Sequence, residues 1–267
     1  MIVGGAAAGV FGSLLGLGGG ILIVPLLTLG FGLELREAVG VSLVSVIMTS
    51  SVAAGVYLER HVADLRLGMR LELFTAIGAL VGGSIAFLID ERWLSALFAG
   101  LLAYVAISML RAKAPAPAMS PDVPAPPTES AAPALDGPAP DRPQYEVRNM
   151  PLGIVGATGA GVVSALLGIG GGIVKVPLMH LAMGVPLRVA TATRNLMVGI
   201  TAAASAVIYV NRGEVDPYVA GPTAIGVFIG ASVGARVAHR IDLRILRWLF
   251  VVVLLYTAVQ MLLRVMS

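Results

Sequence analysis

The sequence predicts an all-α polytopic membrane protein made of two inverted repeats, and three observations carry that prediction. Only 12% of its 267 residues are charged while 57% are hydrophobic, whereas a soluble domain carries about 25% charged residues. The charges fall in short clusters between long uncharged runs of bilayer length. The second half of the chain also repeats the first at a fixed offset.

Taken in order, Ile2–Leu33 is a run of 32 uncharged residues, Ala38–Leu58 one of 21, Leu73–Ile89 one of 17 and Trp93–Leu110 one of 18. The second half supplies Asn195–Val210, Pro217–Ala235 and Trp248–Leu263. Apolar runs of about 17–25 residues span a bilayer as helices, because backbone groups in lipid must be bonded within their own segment. The start, MIVGGAAAGVFG, lacks the basic region and cleavage site of a signal peptide and reads as part of the first membrane segment. Every Asp and Glu flanks a run or falls in the linker described below, which disfavours carboxylate proton relays and acidic sodium sites.

Several function classes drop out. The chain has no cysteine, so disulfides, thiolate catalysis and Cys-held metals are excluded. The net charge of +3 comes from Lys and Arg at the ends of hydrophobic runs, where they set topology and meet headgroups rather than nucleic acid. His61, His180 and His239 have no metal-ligand spacing. Gly16-x-Gly18 follows no strand, and Gly170–Lys175 lacks the Gly-Lys-Ser/Thr ending of a phosphate loop. No enzyme activity and no cofactor are expected.

Residues 112–147 hold ten of the sixteen prolines and no apolar run, the composition of a disordered or extended linker. It separates a first transmembrane repeat, 1–111, from a second, 148–267. Residues 9–26, GVFGSLLGLGGGILIVPL, match 161–178, GVVSALLGIGGGIVKVPL, at twelve of eighteen positions with an offset of 152. The same offset joins Arg36 to Arg188, Thr49 to Thr201, Tyr57 to Tyr209, Asp64 to Asp216 and Gly82 to Gly234. The chain is an internal duplication.

Each repeat opens on a segment too long for one crossing, followed by three ordinary ones. A straight helix over Ile2–Leu33 would run about 48 Å against a hydrocarbon core of about 30 Å. Gly16–Gly20 interrupts it, and Gly168–Gly172 interrupts its twin; glycine costs a helix about 1 kcal/mol per residue. Either the broken helix crosses, or it forms a hairpin that returns to the side it entered. The distribution of Lys and Arg arbitrates. With eight crossings it is nine against eight. With re-entrant hairpins, Arg36, Arg92, Arg212 and Arg264 face one side and thirteen, Arg194 among them, face the other, with Lys175 inside a hairpin. The bias favours hairpins, and with three true crossings per repeat the halves are inverted, the linker is cytoplasmic and both termini lie outside.

Interrupted helices at matching positions of inverted repeats point to a transporter site near the midplane. New helix N-termini there offer N–H groups and partial positive charge to an anion, and glycine lets it approach the backbone. Gly18, Gly19, Gly20, Gly170, Gly171 and Gly172 are therefore candidate substrate-binding residues, with Pro25 and Pro177 shaping the return. Lys175 and Arg194, standing where the first repeat has Ile23 and Ser42, are cations out of place in apolar runs; the bland alternative is that both reach toward headgroups. Ser42, Ser45, Thr49, Thr193 and Asn195 complete the candidate set, and Thr191 and Thr201 are further hydroxyls, many of which bond back to helix carbonyls. Gly78-xxx-Gly82 and Gly226-xxx-Gly230-xxx-Gly234 read instead as helix-contact ridges.

The paired Gly-x-Gly-Gly-Gly-x-x-x-Val-Pro-Leu at Gly16–Leu26 and Gly168–Leu178, each followed by a hydroxyl-rich helix (Ala38–Val52, Ala190–Ala204), resembles the sulfite exporter (TauE/SafE) family. The resemblance covers the chain apart from the linker. It implies a multi-pass inner-membrane carrier for a small sulfur-containing anion such as sulfite or an organosulfonate, exporting it by alternating access. Thr193-Arg194 stands where the family usually carries Thr-Ser, a departure that suits a different or bulkier anion. Expected partners are the small anion, the lipid bilayer and further copies in a homo-oligomer. An anion channel and a non-transporting scaffold or sensor acting through the linker are the alternatives. In the cysteine-free chain, Glu34→Cys and Ser130→Cys should label with a membrane-impermeant thiol reagent from opposite faces; labelling of both from one face would contradict inversion.

Overall fold

The computed structural model describes residues 1–14, 19–59, 64–111, 147–237 and 243–266. The expected linker, apart from Val147, and Gly16 and Gly18 of the first glycine motif lie outside the described residues. Every described element is helical. The first repeat contains α1 (Ile2–Leu14), α2 (Gly20–Pro25), α3 (Leu35–Glu59), α4 (Leu65–Ala86) and α5 (Glu91–Arg111). The second contains α6 (Met150–Leu167), α7 (Gly172–Pro177), α8 (Leu187–Asn211), α9 (Pro217–Val237) and α10 (Leu243–Met266). Among the described residues, five helical stretches are long and apolar enough to cross a membrane: Leu65–Ala86, Glu91–Arg111, Met150–Leu167, Val189–Asn211 and Pro217–Gly234. Leu and Val side chains, with Trp93, Tyr104, Tyr218, Trp248 and Tyr256, lie exposed on the outside of the bundle, an apolar surface that suits lipid and an aromatic complement that suits its interfaces.

In both repeats the two helical arms of the first segment lie against one another. After Gly168 and Gly171, both with φ +68°, α7 runs back, and Pro177 at its end removes one helix donor. The chain continues as a wider π-helical turn, Leu178–Ala182, just as Leu26–Gly30 follows Pro25. The return is complete at Met183, whose carbonyl accepts the N–H of Arg148 at 3.0 Å. The two ends of the second glycine-broken segment therefore lie side by side. In the first repeat the space of a Cβ on Gly4, near the start of α1, is taken by Leu26 Cδ2 at 2.8 Å, on the returning arm.

Helix pairing exchanges between the halves. Helix α1 packs on α9 and α6 on α4; α3 packs on α8 and α5 on α10; α3 also packs on α9 and α4 on α8. The glycine ridges make the closest of these contacts. A Cβ on Gly82 would meet Val162 backbone at 2.5–2.9 Å, and one on Gly5 would meet the Thr223 carbonyl at 2.6 Å. Gly78, Gly161, Gly226, Gly230 and Gly234 are just as closely apposed to the partner helix, so the reading of these ridges as packing surfaces is borne out. Helices α3 and α8, counterparts in the duplication, run in opposite directions. Gly40 near the start of α3 lies against Tyr209 and Glu214 near the end of α8, and Ser50 meets Gly199 midway.

One end of the bundle carries a cationic cluster. The Arg36 and Arg212 guanidinium carbons lie 5.6 and 5.1 Å from the centre of the Phe87 ring, and Phe87 packs on Tyr209 at 5.2 Å. Arg36 also donates to the Ile89 carbonyl at 2.8 Å. These two arginines share a face when the glycine-broken segments are hairpins, and would lie on opposite faces if those segments crossed.

Overpacking a tight interface costs about 1–3 kcal/mol, whereas Gly→Ala in an open helix interior gains about 0.5–1 kcal/mol. Gly161→Ala and Gly230→Ala should therefore lower the unfolding free energy of the detergent-solubilised protein. Gly159→Ala and Gly221→Ala, with nothing within 4 Å of the added carbon, should raise it slightly.

Candidate substrate site

The two glycine breaks meet inside the bundle. A Cβ on Gly20 would stand 2.7 Å from the carbonyl oxygen of Gly168 and 3.0 Å from Ser42 Oγ. The Ser42 hydroxyl, fully buried, lies 2.7 Å from the Gly168 carbonyl and 3.2 Å from that of Gly20, the acceptors of its proton. One side chain on α3 thus clasps both breaks. The duplicated geometry holds around it. Gly20 faces Ser42 and Val46; its counterpart Gly172 faces Arg194, with Nε at 3.0 Å from the space of a Cβ, and Val198. A side chain on Gly20 would push that tip off α3 and the Gly168 carbonyl, whereas at Gly172 the nearest atoms belong to the side chains of Arg194 and Val198.

The second break carries the charge. A Cβ on Gly171 would stand 3.1 Å from the Ala160 carbonyl and 3.2 Å from Ser164 Cβ, with the Lys175 stem in ordinary contact at 3.6 Å. Lys175 is buried within the protein at 1% exposure. Its Nζ donates to Glu72 Oε2 at 2.9 Å and to the Thr201 hydroxyl; that hydroxyl in turn reaches Glu72 Oε1 and the Met197 carbonyl. Glu72 is itself 3% exposed and sits two turns inside α4. This corrects the expectation that every carboxylate flanks the membrane runs: the uncharged run begins after Glu72, but the helix begins at Leu65. The fully buried Ser164 Oγ has no hydrogen-bond partner among the described residues, and its Cβ lies 3.2 Å from where a Cβ of Gly171 would be.

The other expected residues divide. Arg194, 9% exposed, is at the second break with Gly170, Gly171 and Gly172, and Gly19 caps α2 at the first. Gly18 lies outside the described residues. Ser45, Thr49 and Thr191 bond back to Val41, Val46 and Leu187 carbonyls of their own helices. Thr193 accepts the Asp64 N–H at 2.9 Å and so anchors the start of α4 rather than lining a break. Asn195 is half-buried on α8. Thr201, expected as a further hydroxyl, stands at the second break, and Glu72 and Ser164 stand there without having been among the candidates. A signal for Glu72 lay in the duplication, because both partners of the ion pair replace apolar counterparts: Ala224 matches Glu72 and Ile23 matches Lys175. No group of three or more His, Asp or Glu among the described residues could hold a metal ion.

Removing one member of a buried ion pair costs about 3–5 kcal/mol, while an apolar replacement of both is often neutral. Lys175→Ile or Glu72→Ala alone should destabilise the protein by that amount in thermal or denaturant unfolding. The double variant, which installs the first repeat's Ile and the second repeat's Ala, should recover most of the loss.

Comparison with known proteins finds a matching family and relatives named as probable membrane transporters. Residues 1–261 match the sulfite exporter TauE/SafE family. The probable membrane transporter protein YunE of Bacillus subtilis (strain 168) is 27% identical over 275 residues, covering 98% of this chain and 96% of that protein. A probable membrane transporter protein of Xylella fastidiosa (strain 9a5c) is 28% identical over 228 residues, covering 85% and 79%. The probable membrane transporter protein YdhB of Bacillus subtilis is 25% identical over 237 residues, covering 85% of each. No solved structure matches.

Proposed function

The chain belongs to the sulfite exporter TauE/SafE family, and from that premise we propose that it is a carrier for a small anion, of the sulfite or organosulfonate class, working by alternating access between two inverted repeats. The observation that carries this reading is the apposition of the two glycine breaks, with Lys175 and Arg194 brought to the second of them. The first N–H groups of a helix have no partner within it and favour negative charge. A buried ammonium beside such a turn raises its affinity for an anion, since burial strengthens the interaction. The unpartnered Ser164 hydroxyl is one further donor at the same turn.

Alternating access follows from how the breaks are held. Each hairpin tip rests on the long helix of its own repeat, and Ser42 ties both tips together, so the anion site lies at the seam between halves. Rocking one repeat against the other opens that seam to either face. The closed ends of the second hairpin, the antiparallel run of α3 against α8 and the shared ring under Arg36 and Arg212 all support inversion. We take the membrane to be the inner membrane, the linker to be cytoplasmic and the net movement to be outward. An inside-negative potential favours outward anion movement by about 2.3 kcal/mol per charge per 100 mV.

A thermal-shift screen of the purified protein against sulfite, thiosulfate, sulfoacetate, isethionate and short carboxylates tests this. At least one sulfur-containing anion should raise the melting temperature in a concentration-dependent way, as ligands of the native state do. Arg194→Ser, which restores the first repeat's residue, should weaken that binding at least about tenfold, or 1.4 kcal/mol. Stabilisation by the same anions unchanged in Arg194→Ser would remove Arg194 from the site, and a flat response to every anion would overturn the carrier reading.

A further inference from the structure

The Glu72–Lys175–Thr201 cluster does more than neutralise a lysine. We propose that it couples transport to protons: the anion displaces Glu72 from Lys175, and the released carboxylate takes up one proton, so that one proton travels with each anion. This rests on the anion site proposed above and adds its coupling ion.

The geometry brings three things together. Lys175 is the cation of the second break, yet its ammonium is already engaged by a carboxylate at 2.9 Å and by the Thr201 hydroxyl. An incoming anion must therefore compete with Glu72. Second, the cluster joins three elements of both halves: Glu72 on α4, Lys175 on α7 and Thr201 on α8. A rocking motion that separates α4 from the hairpin tip would part the pair. Third, the pair has no charged counterpart across the duplication, where Ala224, Ile23 and Thr49 stand. An apolar version is thus compatible with the fold, and packing alone does not call for the ion pair.

The proton balance follows from the surroundings of Glu72. Helix α6 (Met150–Leu167), packed on α4, contributes no titratable side chain. Helix α8 contributes the Thr201 hydroxyl, with Arg194 at Gly172, one helical turn before Lys175. The hairpin arm contributes Lys175, and further along it His180, which is exposed and bonded through Nδ1 to the Val185 carbonyl. Arg66 and Arg70 on α4 itself are exposed. Once Lys175 turns to the substrate, the buried carboxylate has lost its ion-pair partner. An unpaired buried charge is far more costly than a neutral carboxyl group. The exchange is Lys-NH3+ paired with Glu-COO−, plus the anion and H+ from water, giving Lys-NH3+ paired with the anion, plus Glu-COOH. No bond other than the O–H is made. A dianion accompanied by one proton crosses with one net negative charge and is still driven outward by the membrane potential, whereas a sulfonate monoanion with one proton crosses electroneutrally and follows the combined gradients of anion and proton.

Calorimetric titration of the purified protein with thiosulfate and with isethionate, neither of which titrates near neutrality, decides the matter. Performed in two buffers of different ionisation enthalpy, it yields the number of protons taken up per anion bound. The expected value for the wild type is about one, set by the exchange itself. Glu72→Gln should bind at least about tenfold more tightly, because the competing charge is gone, with no proton uptake. Binding by the wild type without proton uptake, or uptake that persists in Glu72→Gln, overturns the coupling and leaves the carrier reading intact. Absence of binding by both probes counts against the anion site itself, and the coupling falls with it. Should Glu72→Gln not fold, Glu72→Met, which also lacks the titrating carboxyl group, is titrated in its place with the same two outcomes.

Discussion

A helix broken inside a bilayer leaves backbone groups that lipid cannot satisfy, and the arrangement of this protein follows from where those groups go. The Gly168 carbonyl takes the Ser42 hydroxyl, the Ala165 carbonyl takes the Tyr209 hydroxyl at 2.9 Å, and the Gly171 carbonyl takes the N–H groups of Val174 and Lys175. The first two of these solutions need the break to be surrounded by protein, and the third is local to α7. The breaks are therefore central, held between α3 and α8. The glycine ridges of α1 against α9 and α4 against α6 serve the same end, drawing the helices close enough to exclude lipid from the centre.

Duplication supplies the scaffold, and departures from it supply the chemistry. Four differences converge on the second break: Lys175 for Ile23, Arg194 for Ser42, Ser164 for Gly12, and Glu72 for its counterpart Ala224. Each places a charge or a hydroxyl where the counterpart has an apolar or smaller group. Ser42, kept in the first repeat, does the opposite work: it bonds backbone to backbone and holds the tips together. The two breaks thus differ in polarity while Gly20 and Gly172 keep matching neighbours on α3 and α8.

Much of this was legible in the sequence. The offset of 152 residues identified which helices are counterparts, and small residues four apart marked the ridges, because both depend on local spacing. The pairing partners were not legible. Glu72 and Lys175 are 103 residues apart, and Asp64 and Thr193 129 apart; only the register between helices brings them together. Thr193 and Arg194 adjoin in sequence, but successive helical residues point about 100° apart, so one reaches the start of α4 and the other the glycine break. Counting uncharged runs also hid Glu72, since a helix in a protein interior can begin two turns before its last charge.

The most direct measurement is an anomalous-scattering map from crystals of the full chain grown with selenate, a heavy analogue of sulfur oxyanions. A selenium peak within hydrogen-bonding reach of Lys175 Nζ and the Gly168–Gly172 turn, with Glu72 moved off the lysine, is the result expected if the two breaks form the anion site. Selenium found only beside arginines at the bundle ends, with the Glu72–Lys175 pair intact, would contradict it.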